Sequence, residues 1–257
     1  MKCRLIDSIP LSKKIKESLP CFAKSILAED FLRDRGFRNI TTVGVGLDTE
    51  RFDGLDTNPS PDVENILKRT NDHPFLLYVG LLEPRRNTKF LIELLAELNR
   101  NAKDLSLVLI GRGEEEYKSQ VFELAKSLGV SDNVLYLESL KQSQLPFLYR
   151  KAAMFLLPSS YEIFGMVLME AMYYEIPVIT TQNGGSLTLI DSASGIVCDL
   201  DINEWKEQII RILRDAKYRK QIGINGKKMV EEKCSWDVIT SKMIKNYPTM
   251  IKNKTRS

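Results

Sequence analysis

The chain has 257 residues with 37 Lys and Arg against 34 Asp and Glu, one His, four Cys and 43% hydrophobic residues. That is the composition of an ordinary globular protein of one large or two small domains, and no apolar run approaches the ~18 residues of a membrane span. The formal charge of +3 is uneven: from Lys217 to Ser257 there are eleven basic residues against three acids, +8, which leaves −5 for the first 216 residues. Cys3, Cys21, Cys198 and Cys234 are scattered with no pair at ligand spacing, so they read as free thiols of a reducing compartment. The opening MKCRLIDSIP has no apolar core of signal length, and a cytoplasmic address follows.

Residues 1 to about 43 carry a small α/β unit. The spacing predicts a helix over Leu11 to Leu19, a strand over Ala23 to Ala28, a helix from Asp30 to Arg35 closed by Gly36, and a strand over Ile40 to Val43. Two short strands and two short helices do not cover both faces of a sheet. Asn58–Pro59–Ser60–Pro61 has linker chemistry. The single His73 lies in a polar stretch before a strand and reads as a loop residue.

From Phe75 the pattern alternates strand and helix, which argues for a parallel sheet covered on both faces. Strands are expected at Phe75 to Gly80, Ser106 to Gly111, Val134 to Leu137, Ala152 to Leu157 and Pro177 to Thr181. Helices are expected at about Thr88 to Arg100, Glu114 to Leu128, Leu145 to Ala152 and Phe164 to Tyr174. After Gly184–Gly185, which permits close backbone approach, three more follow near Asn203 to Arg214, Lys217 to Glu232 and Ser235 to Asn246. Ligands of such sheets bind outside the C-terminal strand ends. Here those ends lead into Glu83–Pro84–Arg85–Arg86–Asn87, Gly111–Arg112–Gly113 and the loop after Pro158.

The third loop opens the informative stretch. Phe164 to Tyr174 is apolar on every side except at Glu170, and a helix without a polar face belongs inside a protein. A carboxylate there needs a partner or a polar cleft. Glu162 stands eight positions earlier, beside Phe164 and Gly165, whose N–H groups fall at the expected helix start and suit an anion. Two carboxylates and an anion site fit a ligand with hydroxyls and phosphates. They equally fit a solvated loop acid and a Glu170 paired with a nearby Lys or Arg. Arg85, Arg86 and Lys89 at a helix start oppose the helix dipole, which favours phosphate contact over a solvated face. Gly111–Arg112–Gly113 alone is a common strand-to-helix turn. Asp199–Leu200–Asp201 follows a strand and precedes a helix, where turn and cap chemistry is its natural use, and no cluster has metal-ligand spacing.

PSSYEIFGMVLMEAMYYEIPVI resembles the signature of glycosyltransferase family 4, the retaining GT-B nucleotide-sugar transferases, in which two Glu are separated by seven residues. Likeness extends over most of Phe75 to Trp236. The resemblance implies a GT-B type α/β fold: residues 1–60 would be a remnant of the acceptor-binding N-terminal domain with its linker, and residues 61–257 a Rossmann-like donor domain with C-terminal helices. It implies transfer of a hexose from a nucleoside diphosphate sugar to a glycan or lipid-linked acceptor, with no cofactor and no metal. Glu170 would hold ribose hydroxyls, Glu162 and the Phe164–Gly165 backbone would face the sugar, and Arg86 with Arg85 or Lys89 would neutralise the diphosphate. Gly111 and Arg112 would lie near the donor. Leu81 occupies the family's usual Arg position and Arg86 its usual Lys position, while Thr188 and Glu175 replace a frequent Glu and Gly. The alternative is a non-catalytic donor-binding fragment, or one subunit of a split transferase whose N-terminal half is a separate chain. The basic C-terminal stretch reads as a solvated face, or as a site that lies on anionic lipid at the inner face of the membrane or grips a phosphate-bearing acceptor. Nucleic acid is disfavoured, because no stacking aromatics interleave the basic residues.

Overall fold

The computed structural model describes residues 13–49, 58–71, 73–100 and 105–252. Cys3, the first residues of the helix expected from Leu11, and Asp72 beside His73 lie outside them.

Six strands form one parallel sheet: β3 (Leu76–Val79), β4 (Leu107–Ile110), β5 (Val134–Leu137), β6 (Met154–Leu157), β7 (Val178–Thr180) and β8 (Ile196–Val197). The order across the sheet is β5-β4-β3-β6-β7-β8. The chain builds outward from β3 in one direction, then returns to the other side of β3 with β6. Neighbouring crossovers therefore leave in opposite directions at β3 and β6, which opens a crevice at the C-terminal ends of those two strands. Every residue of β3, β4 and β6 is buried, as expected for strands covered on both faces.

The covering helices are α3 (Pro61–Arg69), α4 (Thr88–Asn99), α5 (Glu115–Ser127), α6 (Leu145–Tyr149), α7 (Met166–Tyr173), α8 (Gly184–Leu189), α9 (Ile202–Arg214), α10 (Ala216–Cys234) and α11 (Trp236–Lys252). α7 buries Leu168, Met169, Glu170, Ala171 and Met172, so the helix without a polar face is internal. α9 is amphipathic and buries Trp205, Ile209 and Ile212. The Trp205 ring stands edge-on to Phe90 of α4, and its Nε1 donates to the Asp199 carbonyl at 2.7 Å. Asp201 caps α9 by accepting from the Glu204 amide at 2.9 Å, the use read for it from sequence.

The N-terminal unit consists of α1 (Lys13–Ser18), β1 (Cys21–Ala23), α2 (Ile26–Asp34) and β2 (Ile40–Thr42), with β1 and β2 paired in parallel. The strand expected over Ala23 to Ala28 is corrected. Ser25 caps a helix by accepting from the Ala28 amide at 3.1 Å, so the strand ends at Ala23 and the helix starts four residues before Asp30. The proline-rich stretch at residues 58–61 likewise starts α3, with the Ser60 hydroxyl as cap and Pro61 in the first turn, where a missing N–H costs nothing. α8, which follows β7, was not anticipated, and β8 is the strand read, without bounds, before Asp199–Leu200–Asp201. Leu47, 3% exposed, joins the main core, and its amide donates to the Cys234 carbonyl at 2.6 Å.

Candidate functional site

The loop after β3 is shaped by close backbone contacts. The buried Tyr78 donates its hydroxyl to the Leu81 carbonyl at 2.7 Å. Leu82 bridges to Gly113, so the loops after β3 and β4 run together. Gly111, at φ +150°, must be glycine, because a Cβ would stand 1.8 Å from the Gly80 carbonyl oxygen. Pro84–Arg86 then makes one 3-10 turn, and Asn87 adopts the left-handed conformation with φ 53° before α4 begins. Asn tolerates that region better than other residues with a Cβ.

This turn is fastened to the loop after β6. Asn87 Nδ2 donates to the Pro158 carbonyl at 2.7 Å and to Ser160 Oγ at 2.6 Å, and the Ser160 amide donates to the Arg85 carbonyl at 2.9 Å. Arg85 donates to the Tyr161 carbonyl at 3.0 Å and pairs with Glu83 at 2.6 Å. Arg86 forms an ion pair with Glu162 and donates to Ser159 Oγ at 3.3 Å. Glu83 Oε1 also lies 3.5 Å from Arg86 Nε, yet neither atom makes an aligned hydrogen bond, so that contact is electrostatic and leaves a buried N–H unspent.

Glu162 is held from below by α8. The Gly184 amide donates to the Glu162 carbonyl at 2.8 Å, and Asn183 caps α8 reciprocally with Ser186. A Cβ on Gly184 would sit 2.3 Å from the Ile163 oxygen, and one on Gly185 2.2 Å from the Phe164 oxygen. The close backbone approach expected of this pair is thus made against the segment that carries Glu162. α7 begins at Met166, two residues later than expected, with Gly165 as its left-handed N-cap at φ 77°. Phe164 precedes the helix and is 3% exposed.

Glu170, 7% exposed, faces neutral partners. The Tyr149 hydroxyl of α6 donates to Oε2 at 3.2 Å, and the Gln142 side chain makes a second hydrogen bond. Among the described residues no Lys or Arg pairs with it. Burial pushes its carboxyl up to about 7, against the two hydrogen bonds that lower it. A structural salt bridge, one of the two readings left open by the sequence, is not what holds Glu170.

Arg85, Arg86, Glu162 and the Phe164–Gly165 segment are therefore gathered at the β3–β6 crevice. Lys89 turns the other way: its Nζ donates to Gln120 of α5 at 2.6 Å and lies 5.4 Å from the centre of the Tyr117 ring. Gly111 shapes the neighbouring loop, and the Arg112 carbonyl accepts from the Leu82 amide at 2.7 Å while the residue is exposed. Sequence reasoning gave no part to Glu83, Asn87, Ser159, Ser160, Gln142 or Tyr149. The available signals were an Asn directly before a helix and a Ser pair after the Pro that closes a strand, both typical of residues that bond backbone groups in loops.

Residues 60–229 match the family of glycosyl transferases group 1, and the chain belongs to that family. An uncharacterized glycosyltransferase of Methanocaldococcus jannaschii is 32% identical over 181 residues, 69% of this chain and 45% of its own. A GDP-mannose-dependent α-(1-6)-phosphatidylinositol monomannoside mannosyltransferase of Mycolicibacterium smegmatis is 27% identical over 203 residues, 74% of this chain and 51% of its own. The chain thus spans about half the length of these relatives. Among solved structures, HepE of Anabaena in complex with UDP and glucose superposes with a TM-score of 0.74 at 19% identity, covering 88% of this chain and 62% of its own, a likeness of fold. The α/β architecture is of the GT-B type, as the sequence led us to expect, and the chain is of the glycosyltransferase class.

Proposed function

We propose that this chain binds a nucleoside diphosphate hexose at the β3–β6 crevice and serves a retaining, family 4 transfer of the sugar to a glycan or lipid-linked acceptor. The observation that carries the reading is the Arg86–Glu162 ion pair at the topological switch point, with Arg85 beside it. A nucleotide-sugar donor departs with its negative charge on the diphosphate, and fixed guanidinium groups stabilise that charge as it develops. The Arg86 guanidinium, paired with Glu162 and with its Nε 3.5 Å from Glu83, is a cation held in a fixed direction. Glu162 supplies the counter-charge to Arg86, and the diphosphate takes its place on binding.

Glu170 supplies the second half of the donor site. A carboxylate with only neutral partners accepts from a pair of ribose hydroxyls without first breaking an ion pair. Glu162, once released from Arg86, and the backbone at Phe164–Gly165 face the sugar. The relatives' names support a sugar nucleotide as donor: one is GDP-mannose-dependent, and HepE holds UDP and glucose. Positive charge comes from arginine here, so the reading calls for no metal. Transfer also needs an acceptor hydroxyl held against the anomeric carbon with water excluded, so an acceptor-binding domain completes the enzyme, within a longer chain or as a separate one. The cytoplasm, or the cytoplasmic face of a membrane, is the compartment where this donor is met.

The test is calorimetric titration of the wild-type protein with UDP, GDP and their hexose conjugates, followed by analysis of the products. Micromolar binding of one diphosphate, with weak binding of its nucleoside, is expected. Failure of all four ligands to bind would overturn the reading.

A further inference from the structure

Burial opposes the ionisation of Glu170, and its ability to accept hydrogen bonds depends on what faces it. α6 ends with Tyr149, whose ring is fully buried, stacks on Tyr174 at 5.4 Å with an interplanar angle of 11°, and is tilted against Phe155 of β6 at 6.1 Å. These contacts fix the ring and aim its hydroxyl at Glu170 Oε2. Gln142, exposed on the 3-10 turn Gln142–Gln144 that leads into α6, approaches the same carboxyl with its side chain.

We propose that Tyr149, assisted by Gln142, is the positioning residue that holds Glu170 in its ionised, hydrogen-bond-accepting form, so that this pair determines how well the site receives a ribose.

The charged groups nearby leave this task to neutral donors. The Arg150 guanidinium, next in chain to Tyr149, lies over the Tyr174 ring at 5.4 Å. On α10, which packs against α7, Lys227 pairs with Glu175 at 3.0 Å and lies over the Tyr173 ring at 5.5 Å. Glu162, on the loop that leads into α7, is paired with Arg86. β6, β7 and α8, the remaining elements against α7, bring no charged side chain to Glu170. Burial holds the Tyr149 hydroxyl itself well above the usual phenol range, so it stays protonated and acts as a donor at every working pH. A donor to a carboxylate favours the charged form, against the burial that opposes it. Because a ribose hydroxyl is also a donor, it binds best to the oxygen that Tyr149 leaves charged and fixed in direction.

The inference rests on the reading of Glu170 as a ribose acceptor, and the experiment separates the two. Protein carrying 13C at the glutamate side-chain carboxyls is titrated without ligand, and the Glu170 resonance is assigned by its loss in Glu170→Gln. A midpoint near 7 is expected for the wild type, rising by about half a pH unit or more in Tyr149→Phe, and rising also in Gln142→Ala, an exposed change that leaves folding intact. UDP and GDP are then titrated into the same proteins at pH 6.5 and pH 8.5. The better ligand should bind Tyr149→Phe several-fold more weakly at pH 6.5, with a smaller loss at pH 8.5. An unchanged midpoint in both variants overturns the positioning role, whatever the nucleotides do. Shifted midpoints in a protein that binds neither nucleotide uphold the positioning of Glu170 and overturn the ribose reading instead.

Discussion

Arg86, on the loop after β3, and Glu162, on the loop after β6, form an ion pair with side chains only 14% and 15% exposed, and so join the two strand ends between which the sheet changes direction. Taking two charges this far from water is costly unless both are partnered. Loss of either one strands the other.

Arg86→Ala should therefore weaken binding of UDP or GDP by about 10- to 100-fold, the loss of a charge-assisted contact of about 1.5 to 3 kcal/mol. The matching nucleoside should bind the variant about as it binds the wild type, because the phosphates are the only part of the ligand that Arg86 would meet. Isothermal titration with each ligand checks this, and an equal loss for nucleoside and diphosphate would refute the assignment.

Glu170 gives the site a pH signature. Its folded value of about 7 lies above the ordinary 4.5, so the folded protein holds the extra proton between those values and the unfolded chain does not. Stability from this group is complete below about 4.5 and is lost as pH rises through about 7. Glu170→Gln should flatten that decline in thermal scans from pH 5 to pH 8. Nucleotide binding should run the opposite way, tightening as pH rises through 7 and releasing a proton below it. Calorimetry in two buffers of different ionisation enthalpy measures that proton. Glu170→Ala should lose about 1 to 3 kcal/mol of binding, since ribose donors are left without a partner.

Two glycine substitutions separate scaffold from site. A Cβ at Gly223 of α10 would stand 1.9 Å from the Glu175 carbonyl oxygen, on the turn after α7 where Glu175 sits at φ 60°. Gly223→Ala should cost about 1 to 3 kcal/mol of stability through overpacking, with nucleotide affinity of the folded fraction unchanged. Gly185→Ala, whose Cβ would stand 2.2 Å from the Phe164 oxygen, should cost a similar amount and weaken binding as well, because it pushes α8 from the segment that carries Glu162. Urea melts and binding titrations of both variants distinguish the two.

The sheet was legible because its strands are buried on both faces, which leaves short apolar runs such as Leu107–Ile110 that admit few other readings. The N-terminal unit was less so. Ala23 to Ala28 reads as a strand, and the bonds from the Ala28 amide to Ser25 Oγ and from the Glu29 amide to the Ser25 carbonyl reveal that the helix has begun. Pro59 and Pro61 read as a linker because proline disfavours both helix and sheet interiors, yet the first turn of a helix accepts it. Glu162 and Glu170 stood out as acids in and before an otherwise apolar helix, and Arg86 as one of three basic residues at a helix start, while their separate roles came from the family resemblance; Tyr149 was hidden within a helix that reads as ordinary core. Its hydroxyl matters through a contact 21 residues away in sequence, and no local pattern encodes such a contact.

Arg86 at the phosphates and Glu170 at the ribose divide the work of holding the donor. A double-mutant cycle on Arg86→Ala and Glu170→Ala, titrated with the tighter of UDP and GDP and with its nucleoside, measures that division directly. We predict that the Glu170 change weakens both ligands, that the Arg86 change weakens only the diphosphate, and that the two losses add within about 0.5 kcal/mol, as for residues without a shared partner. Unchanged diphosphate affinity in the double variant would place the ligand elsewhere on the molecule and contradict the account.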